Sequence, residues 1–293
     1  MSWQQLTIST TQEFATQFEA LIEDLGSLSV TMTDGASQPI YEPPLETMPL
    51  WPQVLVTGLF EEQHDLSLAE QYFQQHINTP DSWSMEIEAL EDQVWERVWL
   101  DGFQPIKFGS NFWVCSTKHE APEPNATILR LDPGLAFGTG THPTTALCLD
   151  WLANHAVHGR NIIDFGCGSG ILAISALLLG ARRAVGIDID PQALITTNSN
   201  AEQNNVLNRI RLYNEKQYPR EPQSIVVANI LAEPLIQLSD EISALVEPQG
   251  DLLLSGLLSE QIEQVMQPYQ RFFNFSSPTI KDDWACLHAT KTA

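Results

Sequence analysis

No lysine or arginine occurs before Arg97, although 17 aspartates and glutamates do. Cysteine is scarce: Cys115, Cys148, Cys167 and Cys286 stand far apart, with no C-x-x-C pair. That spacing argues against a disulfide framework or a zinc site and points to a reducing compartment, the cytoplasm. No apolar run approaches the roughly 18 residues of a membrane span; the best, Ile171 to Leu179, is short and contains Ser175. The opening MSWQQLTIST lacks a basic stretch followed by an apolar one, so neither a secretory signal nor a membrane partner is expected. A broad basic face is missing as well. With 37 acids against 14 bases and a formal charge of -23, direct nucleic-acid binding is not expected.

What is present suits a soluble chain with a sizeable core. The 293 residues are 43% hydrophobic, enough for one large domain or two modest ones, and a monomer is expected. Charge divides the chain unevenly. Beyond Glu96 there are 20 acids and 14 bases, a net of -6, so the first third carries -17 of the total. Two readings fit: a general acidic bias that favours solubility, or an acidic recognition module for a basic partner.

The first third alternates between strand and helix patterns. Trp3–Ile8 alternates with period two, and Phe14, Phe18, Leu21, Ile22 and Leu25 recur at helical spacing before Gly26. Leu28–Met32 and Val54–Phe60 read as strands around a proline-rich loop, Leu66–Ile77 as a helix and Met85–Leu90 as a strand. The order β-α-β-β-α-β is that of a ferredoxin-like α+β domain, assigned to residues 1–91. Residues 92–104, with Trp95 and Trp99, read as a linker helix, and 105–293 as a second domain. There strands are expected at Phe112–Cys115, Thr127–Leu131, Asn161–Phe165, Ala184–Ile189, Ile210–Tyr213, Ile225–Asn229 and Asp251–Ser255. Helices fall between them at Ile171–Leu179, Gln192–Asn204 and Leu235–Val246, with another near Glu260–Met266. Such alternation predicts a mostly parallel, doubly wound sheet of Rossmann-like form.

The strand Asn161–Phe165 runs into Gly166-Cys-Gly168-Ser-Gly170 and then an apolar helix. Glycines there let the backbone approach a ligand, and the helix start supplies unpaired N–H groups. Ile171 stands where the dinucleotide fingerprint wants its third glycine. The next strand ends GIDIDP: Asp188, at its tip, suits the ribose hydroxyls of an adenosine ligand, and Asp190, directly before Pro191, suits a helix N-cap. For Asp164 two roles fit, tying down the turn or meeting the amino-acid end of the ligand. Nothing near Cys167 marks it as a nucleophile, and no histidine spacing suggests a metal; none is expected.

A strand ending D-x-G-x-G-x-G with an acidic second strand resembles the class I S-adenosylmethionine-dependent methyltransferases. Two further motifs narrow the resemblance: LDPGLAFGTGTHPTT over Leu131–Thr145 and VVANILA over Val226–Ala232. Together they resemble the PrmA family, methyltransferases of ribosomal large-subunit protein eleven, over essentially the whole chain. The resemblance implies transfer of methyl groups from S-adenosyl-L-methionine to lysine side chains and the N-terminal α-amino group of that basic ribosomal protein. The alternative is another protein, a nucleic acid or a small-molecule amine as substrate. It implies cofactor contacts from Thr145, Asp164, Gly166, Gly168, Gly170, Asp188 and Asn229, with Asn229 and His142 in catalysis. Thr145 is also a candidate helix cap, as are Thr141 and Thr144; His142 acts as a base or amine-orienting group, or only fixes its loop. Many relatives acting on planar amino groups carry N-P-P-Y where this chain has Asn-Ile-Leu-Ala, a departure that suits an aliphatic amine.

Overall fold

In a computed structural model of the chain, the structure describes residues 3–36, 40, 49–77, 83–90, 104–119, 123–131 and 140–293. The helix expected around Trp95–Trp99 and the DPGLAFGT stretch, 132–139, lie outside the described residues. The chain divides into two compact units, Met1–Val94 and Trp95–Ala293.

In the first unit, β1 (Trp3–Thr11), α1 (Gln12–Asp24), β2 (Ser29–Asp34), β3 (Gln53–Glu61), α2 (Ala69–His76) and β4 (Ser84–Leu90) follow in order. The strands form an antiparallel sheet in the order β2-β3-β1-β4, the ferredoxin-like arrangement. Alternation along β1 buries Leu6, Ile8 and Thr10. Their apolar face meets Phe18 and Ile22 of α1 and Phe73 of α2, with Phe18 and Phe73 edge to face at 5.6 Å. Gly58 sets the helix-to-sheet approach. A Cβ there would lie 2.3 Å from Ile22 Cγ2, so glycine is what lets α1 come this close.

The second unit opens with a small sheet of β5 (Ile106–Phe108), β6 (Phe112–Cys115) and β7 (Thr127–Arg130). Then come α3 (Pro143–Asn154), β8 (Asn161–Phe165), α4 (Ile171–Leu178), β9 (Arg183–Asp188), α5 (Pro191–Gln203), β10 (Ile210–Asn214) and β11 (Gln223–Asn229). The rest is α6 (Ala232–Gln237), α7 (Ser239–Ala244), β12 (Val246–Leu258), α8 (Ile262–Met266), β13 (Phe273–Phe275), β14 (Thr279–Lys281) and β15 (Trp284–Lys291). The main sheet runs β10-β9-β8-β11-β12-β15-β13, with β14 also on β15. Strands β8 to β12 pair in parallel, and β15 runs antiparallel to β12. This is the doubly wound class I methyltransferase sheet.

Both faces are covered, which is why its strands read as continuous apolar runs. Ile162, Ile225, Val227 and Leu253 face one core with α3 and α4; Ile163, Phe165, Val226, Leu252 and Leu254 face another with α6, α7 and Tyr269. The single helix expected over Leu235–Val246 is two short helices instead, and Val246 already opens β12 in register with Gln223. Leu238, Ile242 and Leu245 keep helical spacing across the junction, so periodicity gives no sign of the break. Strands β13 to β15 have no counterpart in the sequence reading; two of them are three residues long, too short for any period. Among the described residues no helix is long and apolar enough to cross a membrane, and no cluster of His, Cys, Asp and Glu could hold a metal.

Candidate functional site

Chain order reverses between β8 and β11: successive strands lead one way through β9 and β10, then β11 starts on the other side of β8. In parallel sheets the crevice at the carboxyl ends of two such strands is the usual ligand site. Asp164, the glycine turn, Asp188 and Asn229 all sit at those ends.

The turn is built by backbone conformation. Gly166, Gly168 and Gly170 have φ of 78°, 54° and 79°, a region that glycine enters without steric cost. Space is short as well: a Cβ on Gly166 would lie 2.3 Å from Ile230 Cγ2, and one on Gly170 2.5 Å from Thr197 Cγ2. The N–H groups of Gly166 and Cys167 both donate to Ile187 O, at 2.8 and 3.0 Å, which ties the turn to the neighbouring strand.

Side chains of α5 finish the turn. Thr197 Oγ1 donates to Gly168 O and Asn200 Nδ2 to Ser169 O, each at 2.8 Å. Both residues are buried, and neither was recognised from sequence, because each acts about 30 residues away from the turn it holds. The Asn of an otherwise polar helix gave no local sign. Cys167 is buried beside Thr197, and burial pushes its thiol up, away from the thiolate a nucleophile needs.

The three aspartates take different parts. Asp188 is half-buried at the tip of β9; its Oδ2 accepts from Gly168 N at 2.8 Å and its Oδ1 from Asp190 N at 2.9 Å. Asp190 caps α5, accepting from Gln192 N at 2.9 Å with Pro191 in the first helical position. Asp164 is buried and accepts from Ala173 N at 3.0 Å, so it holds the start of α4 from beneath. Its Oδ1 has no hydrogen-bond partner among the described residues. Burial is the largest influence on this carboxyl and raises it from 3.8 to about 7, against the Ala173 N–H and with the Asp188 charge adding.

On the other side of the crevice, α3 begins at His142. Its ring, not a threonine, caps the helix: Nδ1 accepts from Thr144 N at 3.4 Å and lies 2.8 Å from Thr144 Oγ1. The ring packs edge-on against Trp284 at 4.9 Å, and burial lowers its pKa, which favours the neutral imidazole needed for that acceptor. Thr145 is fully buried and accepts from Asn229 Nδ2 at 3.3 Å, so it reaches the crevice through that amide. Ser255 Oγ, in register beside Asn229, shares its proton between Thr144 O and Ala285 O, both at 3.2 Å. Gly256 was also missed. A Cβ there would lie 2.3 Å from Ile230 O, so only glycine lets β12 pass this close behind Asn229.

The geometry is that of a class I methyltransferase, and the family profile described as ribosomal protein L11 methyltransferase (PrmA) matches residues 2–292. The chain belongs to the PrmA family. It is 46% identical over 291 residues to the ribosomal protein L11 methyltransferase of Idiomarina loihiensis, covering 99% of each chain. The corresponding protein of Histophilus somni (strain 129Pt) is 48% identical over 286 residues, 97% of this chain and 96% of that one. Among solved structures, the ribosomal protein L11 methylase of Lactobacillus delbrueckii subsp. bulgaricus superposes with a TM-score of 0.58 at 27% identity, covering 65% of this chain and all of that one. As a member of the PrmA family the chain is a methyltransferase.

Asp164 makes the site's stability pH-dependent. Between about pH 4 and pH 7 the unfolded chain has released a proton that the folded chain keeps. Stability from this group therefore falls as pH rises through that window and is level above it. Asp164→Asn keeps an oxygen for Ala173 N and has no proton to lose. Its urea midpoints at about pH 5 and about pH 8 should differ less than those of the parent protein. An unchanged difference would remove the buried acid from the account.

Proposed function

We propose that the chain transfers methyl groups from S-adenosyl-L-methionine to lysine side chains and to the N-terminal α-amino group of ribosomal large-subunit protein L11. The observation that carries this reading is the pairing of Asn229 with Thr145 beside the glycine turn, in a chain matched by the PrmA family over 2–292. Buried free thiols at Cys115, Cys148, Cys167 and Cys286 suit a reducing cytoplasm.

The residues fit the cofactor. Positive φ at Gly166, Gly168 and Gly170 opens the backbone to close approach, and Asp164 presents a buried acceptor without a partner among the described residues. Asp188 spends one lone pair per oxygen on Gly168 and Asp190, which leaves further acceptor sites for ribose hydroxyls. When bound, the cofactor supplies an electrophilic methyl group on a sulfonium. The protein's own task is then alignment. One N–H of Asn229 Nδ2 donates to Thr145 and orients the amide, and Oδ1 is the atom that accepts from the substrate's N–H and turns the nitrogen lone pair inward. His142 supports that geometry by fixing the first turn of α3, the helix that carries Thr145. Leu231, 54% exposed two residues after Asn229, offers apolar surface to an aliphatic stem, and Ala232 stands where N-P-P-Y relatives have a ring.

A lysine amine has an ordinary pKa near 10.4, and removal from water favours its neutral form. Positioning alone is worth up to roughly 7–11 kcal/mol in favourable cases, so a strong general base is not required. The acidic first unit, with no base before Arg97, is read as the element that captures a basic ribosomal protein.

The direct test is methyl-labelled S-adenosylmethionine added to ribosomal proteins from cells lacking this enzyme. Label in L11 supports the reading, and label only in RNA or in another protein overturns it. Asp188→Ala should weaken cofactor binding by about 1.5–3 kcal/mol, measured by calorimetry. Asn229→Ala should lower turnover more than cofactor affinity; an equal loss in both would reduce Asn229 to a cofactor ligand. Removing residues 1–91 should leave cofactor binding intact and largely abolish methylation of L11. If the shortened chain methylates L11 as well as the full one, the acidic unit serves solubility alone.

A further inference from the structure

At the edge of the main sheet opposite the active site, the amino ends of β8 to β11 line a groove of about 270 Å³. Four arginines converge on it, Arg182, Arg183, Arg209 and Arg211, together with the amides of Asn161 and Gln223. Among the described residues no carboxylate lines the groove. In this chain that is an anomaly, since acids outnumber bases 37 to 14. Elsewhere in the same unit three arginines find acids: Arg160 pairs with Asp251 at 2.6 Å, Arg220 with Glu241, and Arg271 with Asp240; Arg130 instead donates to the carbonyls of Ser116 and His119. Among the described residues the four groove arginines form no ion pair. Four like charges held together without a counter-charge repel one another, and an anion in the groove would relieve that cost.

The groove is also organised. Arg182 Nε donates to Asn161 Oδ1 at 3.2 Å, and Asn161 Nδ2 donates to Gln223 Oε1 at 2.9 Å. Arg209 Nη1 donates to Ala181 O at 3.1 Å. The bonds of Arg182 and Arg209 each use one of a guanidinium's five donors and restrain it, which leaves those two side chains less freedom to lose when an anion binds. Arg183 and Arg211 are brought onto one face by pairing: Asn161 is in register with Arg183, and Val185, two residues along the same strand, with Arg211. Planar forks grouped this closely match several oxyanions on one molecule rather than a single one. Among the described residues the lining holds no aromatic ring for a base, and of its three apolar members, Ile162, Ala184 and Val185, the first two are buried, which leaves little surface for a lipid chain. The -23 charge of the whole chain disfavours a long polyanion draped over its surface.

We propose that this groove is a binding site for a compact oligophosphate, a di- or triphosphate chain either inorganic or carried by a nucleotide, separate from the methyl-transfer site. The five-residue length of β8 puts it roughly 15 Å from the glycine turn, so occupancy leaves the cofactor crevice open.

Calorimetric titration of the full chain at low salt tests this, with inorganic tripolyphosphate, UTP, orthophosphate and a short single-stranded RNA as probes. UTP replaces ATP because its base does not mimic the cofactor's adenosine. Tripolyphosphate and UTP should both bind more tightly than orthophosphate, and more weakly as NaCl is added. Equal affinity assigns the phosphate chain alone as ligand; tighter binding of UTP assigns the nucleotide as its source. Arg183→Gln with Arg211→Gln, both exposed positions, should weaken binding at least about tenfold per guanidinium removed, the scale of a charge-assisted hydrogen bond. S-adenosylmethionine should titrate parent and double variant alike, which shows that the variant is folded. Absence of tripolyphosphate binding, unchanged binding in the folded double variant, or a preference for RNA over both phosphates would overturn the proposal.

Discussion

The N–H of Gly168 donates to the Asp188 carboxylate at 2.8 Å, and around that bond the tips of β8 and β9, the start of α4 and the flank of α5 are fixed together. The bond requires a turn in which Gly166, Gly168 and Gly170 all have positive φ. Such a turn exposes backbone groups that must find partners. Thr197 and Asn200 supply them from one side and Asp164 from below, through Ala173. The consequence extends to the opposite wall. Gly166 lies against Ile230, the residue after Asn229, and Gly256 lies against the same residue from behind. Close packing at two glycines therefore sets where the strand carrying Asn229 ends. The glycine turn and the proposed amine-orienting amide are one packed object.

Local pattern was enough for much of the fold. Strands β6 and β8 fall where alternation and apolar runs predict them, Asp190 caps its helix, and the glycine turn follows its strand. These features depend on neighbours within a few residues, which a single sequence displays. Other features depend on contacts between distant segments. Thr197 and Asn200 look like ordinary helix positions until α5 is laid beside the turn. His142 as the cap of α3 ran against composition, since three threonines stood nearby and hydroxyls are the commoner caps. Gly256 looks dispensable until β12 is placed behind Ile230. The arginine groove draws on Arg182, Arg183, Arg209 and Arg211 from two strands and their approaches, and becomes a cluster only when β9 and β10 pair.

Charge is distributed in this molecule by place as much as by amount. The first unit, Met1–Val94, carries 16 acids with no base, while the second holds all 14 bases and a net of -7. Exposed charges are screened over about 10 Å at 0.1 M salt, so each region acts mainly on what comes near it. A net charge of -23 therefore does not describe every surface. It is compatible with a local basic groove at the amino ends of the strands and with the carboxyls of Asp164 and Asp188 at their other ends.

The crevice itself contains little that could act as a strong base. The His142 ring is held neutral by burial and committed to its helix, Asp164 is turned toward Ala173, and Cys167 is kept as a thiol. What remains at the strand ends is an amide oriented by one N–H that donates to a fully buried threonine. An acceptor oxygen in that position favours a substrate that brings its own hydrogens, as an amine does, over a carboxylate or phosphate oxygen that brings none. With Ile-Leu-Ala after Asn229 in place of a stacking ring, the apolar contact fits a flexible methylene stem rather than a base. On the proposed reading, selectivity for aliphatic amines thus arises from one committed hydrogen bond and one missing aromatic.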